Sequence, residues 1–198
     1  PPRRVTWGPQ SHDEMGNLGV QLLTRTPAES AELARSFARH AALIDVAGAE
    51  TLVAADPASP AHAALLGTSY MRVGRSMDAV PALERALRLD PASATNENHL
   101  AGALFALGRT ADALVHLGKA VARAPRDPRL HFNLAKVLEA THRESNALDE
   151  YRRALALDPE FAEAHQQLGV LLFAGGHIDE AVEHLTSAAD FAPASASV

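Results

Sequence analysis

Residues 128–161 read PRLHFNLAKVLEATHRESNALDEYRRALALDPEF, and residues 162–195 repeat the same plan. The prolines set the period. Asp90-Pro91, Ala124-Pro125, Asp158-Pro159 and Ala192-Pro193 recur every 34 residues, and Asp56-Pro57 gives the same signal one step earlier. A fixed period of this length is the mark of a stacked repeat, in which each unit buries its apolar face only against its neighbours. Four units follow: 60–93, 94–127, 128–161 and 162–195.

Other positions keep the same register. Leu66, Leu100, Leu134 and Leu168 fall at the seventh place of each unit, and Gly67, Ala101, Ala135 and Gly169 at the eighth. Ala79, Ala113, Ala147 and Ala181 hold the twentieth place, and Ala86, Ala120, Ala154 and Ala188 the twenty-seventh. Small residues let two helices approach closely, and Leu83, Leu117, Tyr151 and Leu185 fill the space around them. Each unit therefore reads as two antiparallel helices, A and B. In the first, A covers about 60–73 and B about 77–90, with Gly74-Arg75-Ser76 between them. Gly108 and Gly175-Gly176 serve the same turn in the second and fourth units. Thr110 and Ser145 are the candidate N-caps of their B helices. Proline stops each B helix, because the residue before it avoids the helical region. Pro81 lies near the first turn of a B helix, where it can bend it.

With its small, large and proline positions matched in all four units, the sequence resembles the tetratricopeptide repeat (TPR). The resemblance covers about two thirds of the chain. It implies an all-α, right-handed superhelical solenoid of antiparallel helix pairs that binds proteins and is not an enzyme. One position departs. The fourth place, often Trp in the family, holds Ala63, Glu97, His131 and His165, so the packing there must be met otherwise.

Upstream, residues 25–59 read as a degenerate helical unit capping the array, with Leu33, Phe37, Ile44, Leu52 and Val53 as its apolar positions. Residues 1–24 are a separate, short non-helical or β arm, with Val5-Thr6-Trp7 and Leu18 to Leu23 as strands around a polar loop. The loop, Gly8 to Leu18, resembles the end of the C-terminal domain of copper type II, ascorbate-dependent monooxygenases of the peptidylglycine class. That resemblance would make Met15 a copper ligand, a role suited to a soft thioether. His12 and Gly16 depart from the family pattern, and the histidine ligands it needs have no counterpart here. Met15 alone makes no copper site. The start Pro1-Pro2-Arg3-Arg4, without an initiator Met, suggests a processed chain or fragment.

Composition narrows the functional classes. A net charge of −6 argues against a general nucleic-acid binder, whose surface must pair with phosphates. The absence of cysteine excludes disulfides, thiolate zinc sites and iron–sulfur clusters. No apolar run reaches the roughly 20 residues of a membrane-spanning helix. Neither a His-Glu-x-x-His run, a P-loop nor a nucleophile elbow is present. His131 and His165, like His116 and His184, are spaced by the repeat and not by metal geometry. No cofactor is expected.

In the TPR family the A helices line the ligand groove. Carried over by position, the groove here takes Asn98, His99 and Phe105, then Arg129, Phe132, Asn133, Lys136 and Glu139, then Gln166, Gln167, Val170 and Phe173. His99, Asn133 and Gln167 form a polar ladder suited to an extended peptide backbone, with Phe105, Phe132 and Phe173 for apolar contact. Ala64 and Thr68 stand where the carboxylate-clamp subclass needs Lys and Asn, so that mode of recognition is not expected. The fourth unit carries Glu163, Asp179, Glu180, Glu183 and Asp190 and no Lys or Arg. This acidic end suits a basic partner surface.

These readings converge on a scaffold for a protein or peptide partner within a larger exported bacterial assembly. Two alternatives stand beside it: the C-terminal appendage of a copper monooxygenase-like enzyme, and an accessory subunit peripherally bound to a membrane redox or photosynthetic complex. Export to the periplasm or cell surface rests on the N-terminal resemblance alone, and a cytoplasmic location is its alternative.

Overall fold

The computed structural model describes residues 27–192, so the expectations for the N-terminal arm, including Met15, lie outside the described residues. The chain divides into two units, 1–39 and 40–198. The helix α1 (Pro27–Ala55) begins in the first. Its part in the second unit buries Ala42, Val46 and Ala49, a helical stripe of small side chains. Residues 25–59 were read as a degenerate helical unit, and α1 runs through most of that stretch as one continuous helix.

Four helix pairs follow. They are α2 (Pro60–Arg72) with α3 (Ser76–Leu89), and α4 (Ala94–Ala106) with α5 (Thr110–Arg123). Next come α6 (Pro128–Ala140) with α7 (Glu144–Leu157), and α8 (Ala162–Ala174) with α9 (Ile178–Phe191). The regular elements among the described residues are thus all helices, a solenoid of A–B pairs. Within each pair the small positions set the approach. A methyl group placed on Gly67 would stand 2.5 Å from Leu83 Cγ, and one on Gly169 2.8 Å from Leu185 Cγ. The units holding Ala101 and Ala135 accept a methyl at this place and bury Leu117 and Tyr151 against it.

The A-to-B turns share one geometry. Gly74, Gly108 and Gly176 take positive φ, and His142 takes the same turn at φ 57°. Each turn closes with a six-residue bond, such as Arg75 N–H to Tyr70 O at 2.8 Å and Arg143 N–H to Leu138 O at 3.0 Å. The expected B-helix caps were misplaced. Arg109 and Arg143 precede α5 and α7 without a side-chain cap, whereas Ser59, Ser93 and Asp127 cap the A helices α2, α4 and α6. A hydroxyl or carboxylate is more effective there, because the incoming chain is extended and leaves the first N–H groups open.

The question raised by the fourth place has a clear answer. Its side chain meets the twenty-third residue of the same unit, across the A–B crossing. In the first unit the two are Ala63 and Ala82, both buried. In the second, Glu97 accepts from His116 Nδ1 at 2.5 Å and from Arg123 Nη1 at 2.6 Å. In the third the types are exchanged: His131 Nδ1 donates to Glu150 Oε2 at 2.7 Å, and Arg153 holds the other oxygen at 2.5 Å. His131 Nε2 also donates to Pro125 O at 3.0 Å. Both ring nitrogens thus face oxygen partners, which fixes the orientation of the ring.

The fourth unit places two histidines together. His165 Nε2 donates to Pro159 O at 3.0 Å, which leaves its Nδ1 to accept from His184 Nδ1 at 2.9 Å. Burial, followed by the neighbouring His165, holds His184 below the ordinary histidine value of 6.5, with Glu180 and Glu183 opposing and Arg152 assisting. Glu97 is also lowered. Burial alone would raise it, but the hydrogen bonds from His116 and Arg123 outweigh that and hold it below 4.5.

These shifts act in separate pH windows. The unfolded chain binds more protons than the folded one at each site, so stability rises with pH. The His184 contribution is complete above 6.5 and is lost as the pH falls through the lowered folded value. That of Glu97 persists until the pH drops below 4.5. Thermal melts taken from neutral to mildly acid pH are therefore expected to show an early loss of stability that the α8–α9 pair shares with the α4 region around His99, which burial also lowers below 6.5. His184→Gln is expected to reduce that early limb and leave the later one. An early limb unchanged in His184→Gln would assign it to other groups.

Candidate functional site

Among the described residues α2 approaches α4 and α4 approaches α6, whereas between B helices α7 and α9 meet through the exposed Arg152–Glu180 pair at 3.4 Å. The A helices thus crowd the inner side of the stack and line a groove. At its centre Asn133 Nδ2 on α6 donates to Asn98 Oδ1 on α4 at 2.9 Å. That bond uses one donor and one acceptor. Asn98 Nδ2 and Asn133 Oδ1 have no partner among the described residues, leaving one donor and one acceptor side by side.

Beneath the amides lies a cleft of about 220 Å³ walled by Met71, His99, Gly102, Phe105, Lys136 and Val137. His99 is half-buried, and its Nδ1 has no hydrogen-bond partner. Burial lowers its pKa below the ordinary 6.5, so the ring stands neutral in the cleft wall. Lys136 holds its ammonium 5.6 Å from the Phe132 ring centre, a cation–π contact that keeps a positive charge by the cleft.

A second, more open cleft of about 480 Å³ lies between α6 and α8. Arg129, Phe132, Phe161 and Phe191 wall it, with Asp158, Glu160 and Glu163 at its edge. Phe132 packs on Phe161 at 4.9 Å and on Tyr151 at 5.8 Å between ring centres.

The groove positions named from sequence are thus distributed. Asn98, His99, Phe105, Asn133 and Lys136 share the first cleft, and Arg129, Phe132 and Asn133 the second. Glu139 turns toward its B helix, where it accepts from the buried Tyr151 hydroxyl at 2.8 Å. Burial and then this bond raise the tyrosine pKa. Gln166, Gln167, Val170 and Phe173 line neither cleft, and Phe173 is 62% exposed. Met71 holds the same place in its unit as Phe105, and Gly102 the same place as Lys136; the repeat register finds them, although neither is polar. Of the acidic residues, Glu163 edges the second cleft, Glu180 pairs with Arg152 at 3.4 Å, and Asp179, Glu183 and Asp190 lie exposed on α9.

Comparison with known proteins agrees with this fold. The pattern described as Tetratricopeptide repeat matches residues 46–94, 64–128 and 100–159, and a TPR repeat pattern matches 145–176. The chain belongs to the tetratricopeptide repeat family. No curated protein matches it. Among solved structures, a crystal structure of MamA is 25% identical with a TM-score of 0.66, covering 74% of this chain and 85% of that one. PilF of Pseudomonas aeruginosa is 19% identical with a TM-score of 0.68, covering 81% of this chain and 79% of that one. YrrB, a TPR protein with an unusual peptide-binding site, is 22% identical with a TM-score of 0.61, covering 83% and 84%. The last two likenesses show the fold alone. A TPR solenoid of this kind is a scaffold for protein–protein interaction. None of its helices, among the described residues, is long and apolar enough to cross a membrane.

Proposed function

We propose that this TPR protein holds an extended segment of a partner protein in the groove between α2, α4 and α6. The Asn98–Asn133 pair carries the reading. Its unpartnered amide donor and acceptor complement the C=O and N–H of one peptide unit, while the bond between them fixes their spacing. The cleft of about 220 Å³ beneath has room for one large apolar side chain of the same peptide. Lys136 favours an acidic residue beside that anchor.

A test begins with selection of peptides from a displayed random library on the intact chain. Binding of the selected peptides is then measured on two variants. Asn133→Ala removes the amide acceptor, and about a tenfold weaker Kd is expected, the worth of one net hydrogen bond. Gly102→Leu fills the cleft from below, because even a methyl there would stand 3.1 Å from Met71 Cε. It is expected to abolish binding. Failure to select peptides, or peptides that bind both variants as tightly as the parent, would sink the groove reading.

A further inference from the structure

The face that each B helix turns toward the following unit is covered in three cases and open in the fourth. The twenty-first and twenty-fourth places show it. Val80 and Leu83 of α3 are 9% and 0% exposed under α4. Leu117 of α5 and Tyr151 of α7 are 2% and 0% exposed at the twenty-fourth place, under α6 and α8. Their counterparts on α9, Val182 and Leu185, are 58% and 37% exposed, and Ile178 is 48% exposed. Ile178, Val182, Leu185 and Ala189 follow the helical period and form one stripe. They have the chemistry of a covered face and no cover among the described residues.

The charges beside the stripe say what kind of cover fits. Asp179, Glu183 and Asp190 recur at spacings of four and seven, which places them about a quarter turn or slightly more from the stripe on one flank. No Lys or Arg lies between residues 162 and 195 to offset them. A second copy docking its α1 here is disfavoured, since α1 brings four acids (Glu29, Glu32, Asp45, Glu50) against two arginines (Arg35, Arg39). Like charges would meet across the joint.

We propose that the open face of α9 seats an amphipathic helix of a partner protein, packed as an A helix packs on α3, α5 or α7, with Lys or Arg along the flank facing Asp179, Glu183 and Asp190. Apolar burial supplies the contact, and charge selects the partner and its direction. This surface is separate from the peptide groove, so the two readings stand or fall independently.

The probe is a labelled synthetic helix of about 18 residues, five turns. It carries a Leu/Ala stripe flanked by lysines, and its twin replaces the lysines with glutamates. Fluorescence anisotropy with the intact chain is expected to give at least about a tenfold tighter Kd for the lysine form. Neutralising Asp179, Glu183 and Asp190 to their amides should remove that preference. Val182→Asp should weaken the lysine form by about tenfold or more although it adds a negative charge, which separates docking from general electrostatic attraction. Asn133→Ala should change nothing. Val182 is exposed, so the variant keeps the parent's circular dichroism. Equal binding of the two helices, or undiminished binding to Val182→Asp, overturns the proposal. Sedimentation showing self-association of the chain that Val182→Asp abolishes would also overturn it, in favour of a second copy as occupant.

Discussion

His131→Glu is expected to lower the unfolding free energy of the α6–α7 region by about 3–5 kcal/mol, the range for leaving a buried charge without its partner. Two carboxylates would then face each other at a crossing where His131 and Glu150 are 5% and 9% exposed. The ring's bond to Pro125 O would go as well. The other units supply the controls. Glu150→His recreates the paired histidines of the fourth unit and is expected to cost much less. The exchange His131→Glu with Glu150→His recreates the order of the second unit, Glu97 below and His116 above. It is expected to recover a substantial part of the loss. Recovery stays incomplete, because Glu97 also has Arg123, whereas Leu157 occupies the corresponding place in the third unit. Urea melts of the parent, two singles and the double form a cycle that isolates the coupling. If the double variant is as unstable as the sum of the singles, the two places are not coupled as described.

Tyr151→Ala is the second large effect. Tyr151 is fully buried and is the largest such side chain. Its ring fills the space over Ala135 and touches Phe132, with ring centres 5.8 Å apart. Truncation leaves a cavity between two units, and a loss of about 3–5 kcal/mol is expected. Tyr151→Leu gives a finer reading, since Leu83, Leu117 and Leu185 hold this place elsewhere. It should cost only about 1–2 kcal/mol, chiefly the hydroxyl bond to Glu139 and a smaller packing deficit. The Glu139 carboxylate is partly exposed and can turn to water. Comparable losses for Ala and Leu would mean that the hydroxyl, not the volume, matters. Because the α6–α7 pair lies inside the array, either variant should also weaken cooperation between the units on its two sides.

The fold was legible because its signals are repeated in kind. Proline every 34 residues and a Gly or Ala at the eighth place of each unit state the geometry four times over. The pairing of the fourth and twenty-third places was not legible, because it repeats in space but not in residue type. Ala–Ala, Glu–His, His–Glu and His–His look unrelated along the chain. Only contact shows that each member compensates for the other. The caps went astray for a related reason. Ser59, Ser93 and Asp127 each follow a proline by two residues and read as part of a loop, while Thr110 and Ser145, inside their helices, looked like starts. In the groove, the periodic rule placed Asn98, His99 and Asn133 around one cleft. It could not foresee that Glu139 would be drawn away by Tyr151, since that depends on a side-chain reach between helices.

The two proline carbonyls have a mechanical meaning. His131 bonds Pro125 O, and His165 bonds Pro159 O, so each ring bolts the end of one unit to the crossing of the next. At the joint between the first two units the corresponding crossing begins with Glu97, an acceptor that has nothing to offer a carbonyl. The joints after Pro125 and Pro159 carry this bond across the unit boundary, and the one after Pro91 does not. A substitution at His131 or His165 therefore reaches the preceding joint as well as the crossing within its own unit.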